Sequence, residues 1–258
     1  MSRHSNKFYG IDYICKNSQY KSYDMKKVLF IVAAAALIGL ASARSANAQE
    51  RDWANFSRYS KSNAEVLAAQ KAGAKKPVAV FMGDSITDAW ASDDPSFFAD
   101  NNFIGRGISG QTSSEMLVRF RKDVLDLQPK YVLILAGTND MAQNNGYISI
   151  DDTYGNIVSM CEIAKLHKVK PVICSIIPAS SFGWRKHLGD RSNDIITLSN
   201  MLKAYAARNH FKYIDYHSAL KDEANGLQTA LGKDSVHPNL FGYQIMEKIV
   251  LETLKIKK

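Results

Sequence analysis

The chain has 258 residues, 46% of them hydrophobic, with 33 Lys and Arg against 25 Asp and Glu, and three cysteines. That composition supplies a core and excludes collagen-like, disulfide-dense and disordered polyelectrolyte chains. The formal net charge of +8 raises nucleic acid or anionic lipid as partners, so the location of the charge matters.

Residues 1–24 are polar and aromatic and show no helical or strand period. Met25 opens a second plausible start, with Lys26-Lys27, an apolar run over 28–40 and a small-residue site at Ala46-Asn47-Ala48. A basic start, an apolar run and an Ala-x-Ala site are the three parts of a secretory signal. The 13-residue run falls short of the about 20 residues that span roughly 30 Å of hydrocarbon. The expectation is an upstream extension or non-native start (1–24), a signal peptide (25–48) and an exported domain (49–258), periplasmic or secreted, with no stable membrane anchor. No cysteine stands at the cleavage point to take a lipid. Cleavage after Ala48 leaves 26 basic and 23 acidic groups, a net +3. With no basic stripe left, nucleic acid is not an expected partner. Cys15 leaves with the leader. Cys161 and Cys174 sit in apolar stretches and read as buried thiols, although an oxidising compartment permits a bridge.

In chain order, an amphipathic helix is expected over 54–71 and a first strand over 78–82. A strand over 102–106, a helix over 113–127 and a strand over 131–136 follow. Next come a helix over 152–167, a strand over 172–176, a helix over 194–208, a strand over 211–215 and a closing helix over 241–256. Strands such as 131–136 are apolar on both faces, as in a parallel sheet covered by helices on either side. Repeated β-α order with right-handed crossovers gives a single α/β domain, a three-layer α/β/α sandwich on a five-stranded parallel sheet. Ligands bind such sheets at the carboxyl ends of the strands, which directs attention to 83–90, 105–112, 137–146, 178–190 and 232–239.

Four of these segments concentrate small and polar residues: Gly83-Asp84-Ser85-Ile86-Thr87-Asp88, Gly107-Ile108-Ser109-Gly110-Gln111-Thr112, Gly137-Thr138-Asn139-Asp140 and Asp234-Ser235-Val236-His237-Pro238-Asn239. Ester cleavage needs a hydroxyl nucleophile, an imidazole base, a carboxylate to orient the imidazole, and donors for the oxyanion. Ser85, where a buried strand gives way to a helix, is placed as nucleophile, and its own N–H is free at the helix start. Asp234 and His237 lie three apart, within reach of one another. Gly110 can offer an N–H to a close ligand and Asn139 its Nδ2.

In order and spacing the four blocks resemble the conserved blocks of the SGNH/GDSL hydrolase family, across nearly all of the chain from Pro77 onward. The resemblance implies a flavodoxin-like fold and an esterase without a cofactor. It implies Ser85 as nucleophile, His237 as base, Asp234 orienting it, and Ser85, Gly110 and Asn139 as the oxyanion hole. Two departures, Gly105 where the family often has Asn and Asp234-Ser235-Val236-His237 for the commoner Asp-Gly-Leu-His, bear on substrate fit. The substrate is a small-molecule, glycan or lipid ester: sugar O-acetyl groups, or acyl chains of lysophospholipids. A non-catalytic glycan-binding protein on the same fold is the competing class.

Other motifs carry less. Gly105-Arg106-Gly107-Ile108-Ser109-Gly110 matches G-x-G-x-x-G, but it follows the second strand and no acid ends the next one. A P-loop, the second glycine of an α/β-hydrolase elbow and any metal-ligand cluster are missing from the sequence. Asp215-Tyr216-His217 is a rival acid–imidazole pair, with Asp215 more at home as a cap. Asp84 reads as a helix-start brace and Asp140 as structural. Trp90, Phe97 and Phe98 after the nucleophile block, and Trp184, Arg185 and His187 in 178–190, either bind substrate or belong to the core. Trp90, Trp184 and Arg185 are the candidate substrate contacts.

Overall fold

The computed structural model describes residues 52–256. The expected upstream segment, the signal peptide and its cleavage point lie outside the described residues. Helix α1 (Ser60–Lys71) starts later than its apolar pattern suggests. The Asp52 carboxylate accepts the N–H groups of Phe56 and Ser57, and Asn55 adopts φ 58°, so residues 52–59 are held in turns. Then come β1 (Ala79–Gly83), α2 (Ser85–Asp93), α3 (Pro95–Asp100), β2 (Phe103–Gly107) and α4 (Ser113–Phe120). The helix expected over 113–127 changes pitch at Arg121 and runs on as a π-helical turn, Arg121–Leu125. After it follow β3 (Tyr131–Leu135), α5 (Thr138–Met141), α6 (Ile150–Leu166), β4 (Lys170–Cys174), α7 (Ser192–Asn209), β5 (Lys212–Ile214), α8 (Tyr216–Leu220) and α9 (Leu240–Leu254).

The five strands form one parallel sheet in the order β2-β1-β3-β4-β5, the expected α/β/α arrangement. Alternation sends successive side chains to opposite faces. Val80, Met82, Val132, Ile134 and Ile173 meet α4, α6 and α7 in one core. Ala79, Phe81, Tyr131, Leu133, Val172 and Cys174 meet α2, α3, α8 and α9 in the other. Cys161 belongs to the first core and Cys174 to the second. Both are free and buried, and burial pushes both thiols well up.

Strand β4 begins two residues before its expected start because Pro171 is tolerated there. Lys170 donates its N–H toward β3, to the Lys130 carbonyl, so the nitrogen of Pro171 faces the β5 side. Strand β5 pairs only from Val172 onward, and no ladder bond is lost.

The chain leaves β1 to one side for β2 and returns to the other for β3, a topological switch point of the kind where ligands bind. Gly83 is level with Gly107 and Leu135, so the loops after these three strands leave the sheet at one height.

Candidate active site

Asp84 ends the approach from β1 and caps α2, its Oδ1 accepting the Ile86 N–H at 2.9 Å. Ser85 is thereby the first residue of the helix, where N–H groups have no partner within the helix. Its Oγ lies 2.9 Å from His237 Nε2. His237 Nδ1 lies 2.8 Å from Asp234 Oδ2 and 3.1 Å from Oδ1. Asp234 Oδ1 also accepts the backbone N–H groups of Val236 and His237, each at 2.8 Å. Burial pushes the Asp234 carboxyl up, but the hydrogen bonds from His237 and Val236 outweigh it and hold the group below the usual carboxylate range. The loop is closed by the Lys233 N–H donating to the His237 carbonyl at 2.7 Å. Asn239 then caps α9, and Tyr243 on that helix donates to the Ile86 carbonyl at 2.8 Å, so the His237 loop and α2, which begins at Ser85, are tied together.

After β2, Ile108 donates its N–H to the Gly83 carbonyl at 3.1 Å, and Gly110 turns with φ +82° into open space. That left-handed conformation is one that only glycine adopts readily. Gln111 is anchored by the buried Arg119, which donates to Gln111 Oε1 at 2.6 Å, to the Gly83 carbonyl at 3.0 Å and to Asp123 Oδ2 at 3.0 Å. The network extends through Asn63, which donates to Asp123 Oδ1 and accepts from Arg106 Nε.

After β3, Asn139 is buried in α5. Its Nδ2 donates to the Gln111 carbonyl at 3.0 Å, and its Oδ1 accepts from Asn144 Nδ2 at 2.7 Å. An amide nitrogen carries two protons, so one Nδ2 proton is left over from these bonds. The neighbouring Asp140 accepts both the N–H and the hydroxyl of Ser113 at the start of α4. Burial raises its pKa against those bonds.

Ser85, His237 and Asp234 thus form one hydrogen-bonded chain, with Gly110 in the loop after β2 and Asn139 in α5 after β3. Trp184 is 46% exposed, its ring centred 6.2 Å from that of His237, and it donates to Asn144 Oδ1 at 2.9 Å. Arg185 Nη2 approaches the carbonyls of Gln143 and Asn144 at 3.4 and 3.3 Å. Trp90 is not brought to the site. It is 1% exposed, stacked between Phe97 and Tyr243 and edge-on to Phe81, with its Nε1 donating to Glu247. Phe97 and Phe98 are buried in the same core. In the rival pair, Asp215 caps α8 through the Ser218 N–H, and His217 is buried there with its pKa lowered by burial. Sequence reasoning did not single out Asn144 and gave Gln111, quoted within the second block, no role. Their only signal is a run of amides near the strand ends.

The profile of the GDSL-like Lipase/Acylhydrolase family matches residues 81–245. A crystal structure of a candidate acylhydrolase from Bacteroides fragilis superposes with a TM-score of 0.75 at 43% identity, covering 80% of this chain and 98% of that one. An acetylxylan esterase of Geobacillus stearothermophilus is 22% identical over 160 residues, 58% of this chain and 71% of its own. An uncharacterized lipoprotein of Bacillus subtilis, YqeF, is 34% identical over 90 residues, 34% of this chain and 37% of its own, so the chain spans little more than a third of that relative. With the family profile running from the first strand into the last helix, over more than half of the chain, the protein belongs to the GDSL-like lipase/acylhydrolase family.

Proposed function

We propose that the protein is an exported serine esterase that cleaves short-chain esters, above all acetyl groups on carbohydrate, through an acyl-enzyme. The observation that carries this reading is the chain from Ser85 Oγ through His237 to Asp234, at 2.9 and 2.8 Å. Ser85 Oγ attacks the ester carbonyl as His237 Nε2 takes its proton, and Asp234 balances the imidazolium. The carbonyl oxygen becomes an oxyanion held by the Ser85 and Gly110 N–H groups and the remaining Asn139 Nδ2 proton. Collapse breaks the ester C–O bond, and His237 returns the proton to the departing alcohol. Water then attacks the acyl-enzyme, giving its proton to His237. The acid leaves, and the proton returns to Ser85.

Support for a carbohydrate alcohol comes from Trp184, an exposed ring beside His237 on which a sugar can stack, and from the acetylxylan esterase relative. A second reading, a lysophospholipase or lipase-type acylhydrolase, draws on Leu240 and Phe241, 44% and 68% exposed just past the His237 loop. Rates on p-nitrophenyl acetate, octanoate and longer esters, an acetylated xylan and a lysophospholipid separate the two. Acetate and acetylated xylan are expected to be turned over fastest. Ser85→Ala is expected to abolish nearly all turnover, and His237→Ala to be similarly severe, a loss on the order of 10⁴-fold or more. No turnover on any ester, or full activity in Ser85→Ala, sinks the reading.

A further inference from the structure

We infer that Asn144 is a positioning residue that sets the oxyanion hole and joins it to the exposed Trp184 loop. The inference rests on the esterase reading above. All side-chain polar groups of Asn144 are committed. Its Nδ2 donates to Asn139 Oδ1 at 2.7 Å and to the Gly110 carbonyl at 3.3 Å, and its Oδ1 accepts from Trp184 Nε1 at 2.9 Å. Its backbone N–H also donates to the Asn139 carbonyl at 3.0 Å. One amide therefore holds both loops that supply donors beyond Ser85.

The bonding permits a single orientation of Asn139. Flipping that amide sets its oxygen against the Gln111 carbonyl and its nitrogen against Asn144 Nδ2, acceptor to acceptor and donor to donor. Asn144 thus keeps the spare Nδ2 proton of Asn139 available for an oxyanion rather than letting the amide rotate. Trp184 in turn fixes Asn144 from the far side, since its N–H selects the oxygen end of that amide. A ligand group resting on the indole bears on the same hydrogen-bonded chain that aims Asn139. Asn144 is only half-buried, so its replacement leaves the two cores intact.

The test is a double-mutant cycle on the full chain with p-nitrophenyl acetate. Asn139→Ala is expected to lower kcat by on the order of 10²-fold or more, as loss of an oxyanion donor does. Asn144→Ala is expected to lower kcat by roughly 10-fold with KM changed less than about twofold, since the interaction is used in the transition state. Asn144→Asp, which keeps size and the acceptor for Trp184 but loses both donors, should be as impaired as Asn144→Ala. Added to Asn139→Ala, Asn144→Ala should lower kcat by only about two- to threefold, the part exerted through the Gly110 carbonyl, because the amide it aims is already gone. Trp184→Phe, which keeps a ring and loses the N–H, should cost about two- to threefold in kcat. Effects of Asn139→Ala and Asn144→Ala that multiply, or an Asn144→Ala enzyme with unchanged kcat, overturn the inference while leaving the esterase reading standing. Full activity in Asn139→Ala overturns it from the other side, by removing Asn139 from the oxyanion hole.

Discussion

At the scale of single residues, Asp84 is a buried carboxylate beside Ser85 that is only half satisfied. Its Oδ1 takes the Ile86 N–H, whereas its Oδ2 is buried with no hydrogen-bond partner. Burial raises its pKa to about 6, against the Ile86 N–H and the nearby His237, with Asp140 adding to the rise. The folded value lies above the unfolded one of 3.8, so the native state binds more protons between about pH 4 and 6, and this group's contribution falls as pH rises through that window. Asp84→Asn preserves an oxygen for Ile86 and removes the titration. The stability of the parent relative to this variant should therefore drop by on the order of 2 kcal/mol from pH 4 to pH 7. Urea unfolding at both pH values checks it, and a constant difference counts against it. The residues of the four blocks were legible because each block is short, local and chemically distinctive. The Asn144–Trp184 link was not, because its partners are 40 positions apart and amides carry no pattern of their own. Trp90 was misread although the spacing was there: it lies four residues after the buried Ile86, on the same face of α2, which points inward.

At the scale of elements, α2, which presents Ser85, depends on how closely it sits on the strand beside it. A Cβ on Gly107 would lie 2.2 Å from the Asp88 nitrogen and 2.6 Å from the Asp84 carbonyl oxygen. Those are backbone atoms of the turn that presents Ser85, so they cannot yield as a side chain would. Gly107→Ala should force α2 away from β2 at an overpacking cost of about 1–3 kcal/mol or more, equal to a melting-temperature drop of at least roughly 3–10 °C. Thermal unfolding and the ester assay should fall together, and a variant with unchanged melting temperature contradicts the argument. The elements themselves were legible where periodicity was long, as in β1, β3, α6 and α7. Short helices such as α3, α5 and α8 escaped because a few residues hold no period, and their starts are set by capping Asp94 and Asp215 or by Gly137 at φ +121°. The π-helical turn after α4 escaped too. It carries Asp123 into the buried Arg119–Asn63 network, a long-range polar demand that no local pattern announces.

At the scale of the whole molecule, most of the net charge that first suggested anionic partners lies in residues 1–48, ahead of the enzyme domain, and residues 25–48 of that stretch have the basic start, apolar run and Ala-x-Ala site of a secretory signal. Among the described residues no helix is long and apolar enough to cross a membrane. Expressed as the full chain in a bacterial host, the protein should be recovered outside the cytoplasm with Gln49 as its first residue. N-terminal sequencing of the purified material checks this, and an intact residue 25 or earlier on exported protein refutes the cleavage site.

The strand order β2-β1-β3-β4-β5 also sets a timetable. In a chain that folds as it is made, β2 could dock on β1, β3 on its other side, and β4 and β5 could extend that edge in turn, because each is paired with a strand that precedes it in sequence. Every new strand finds its neighbour already present. The nucleophile arrives with the first of them, but Asp234 and His237 come after the sheet is complete, within the final tenth of the chain. The helix that completes one face of the sheet, α9, comes later still, so on the proposed reading Ser85 has no base until the C-terminal segment that carries His237 has docked.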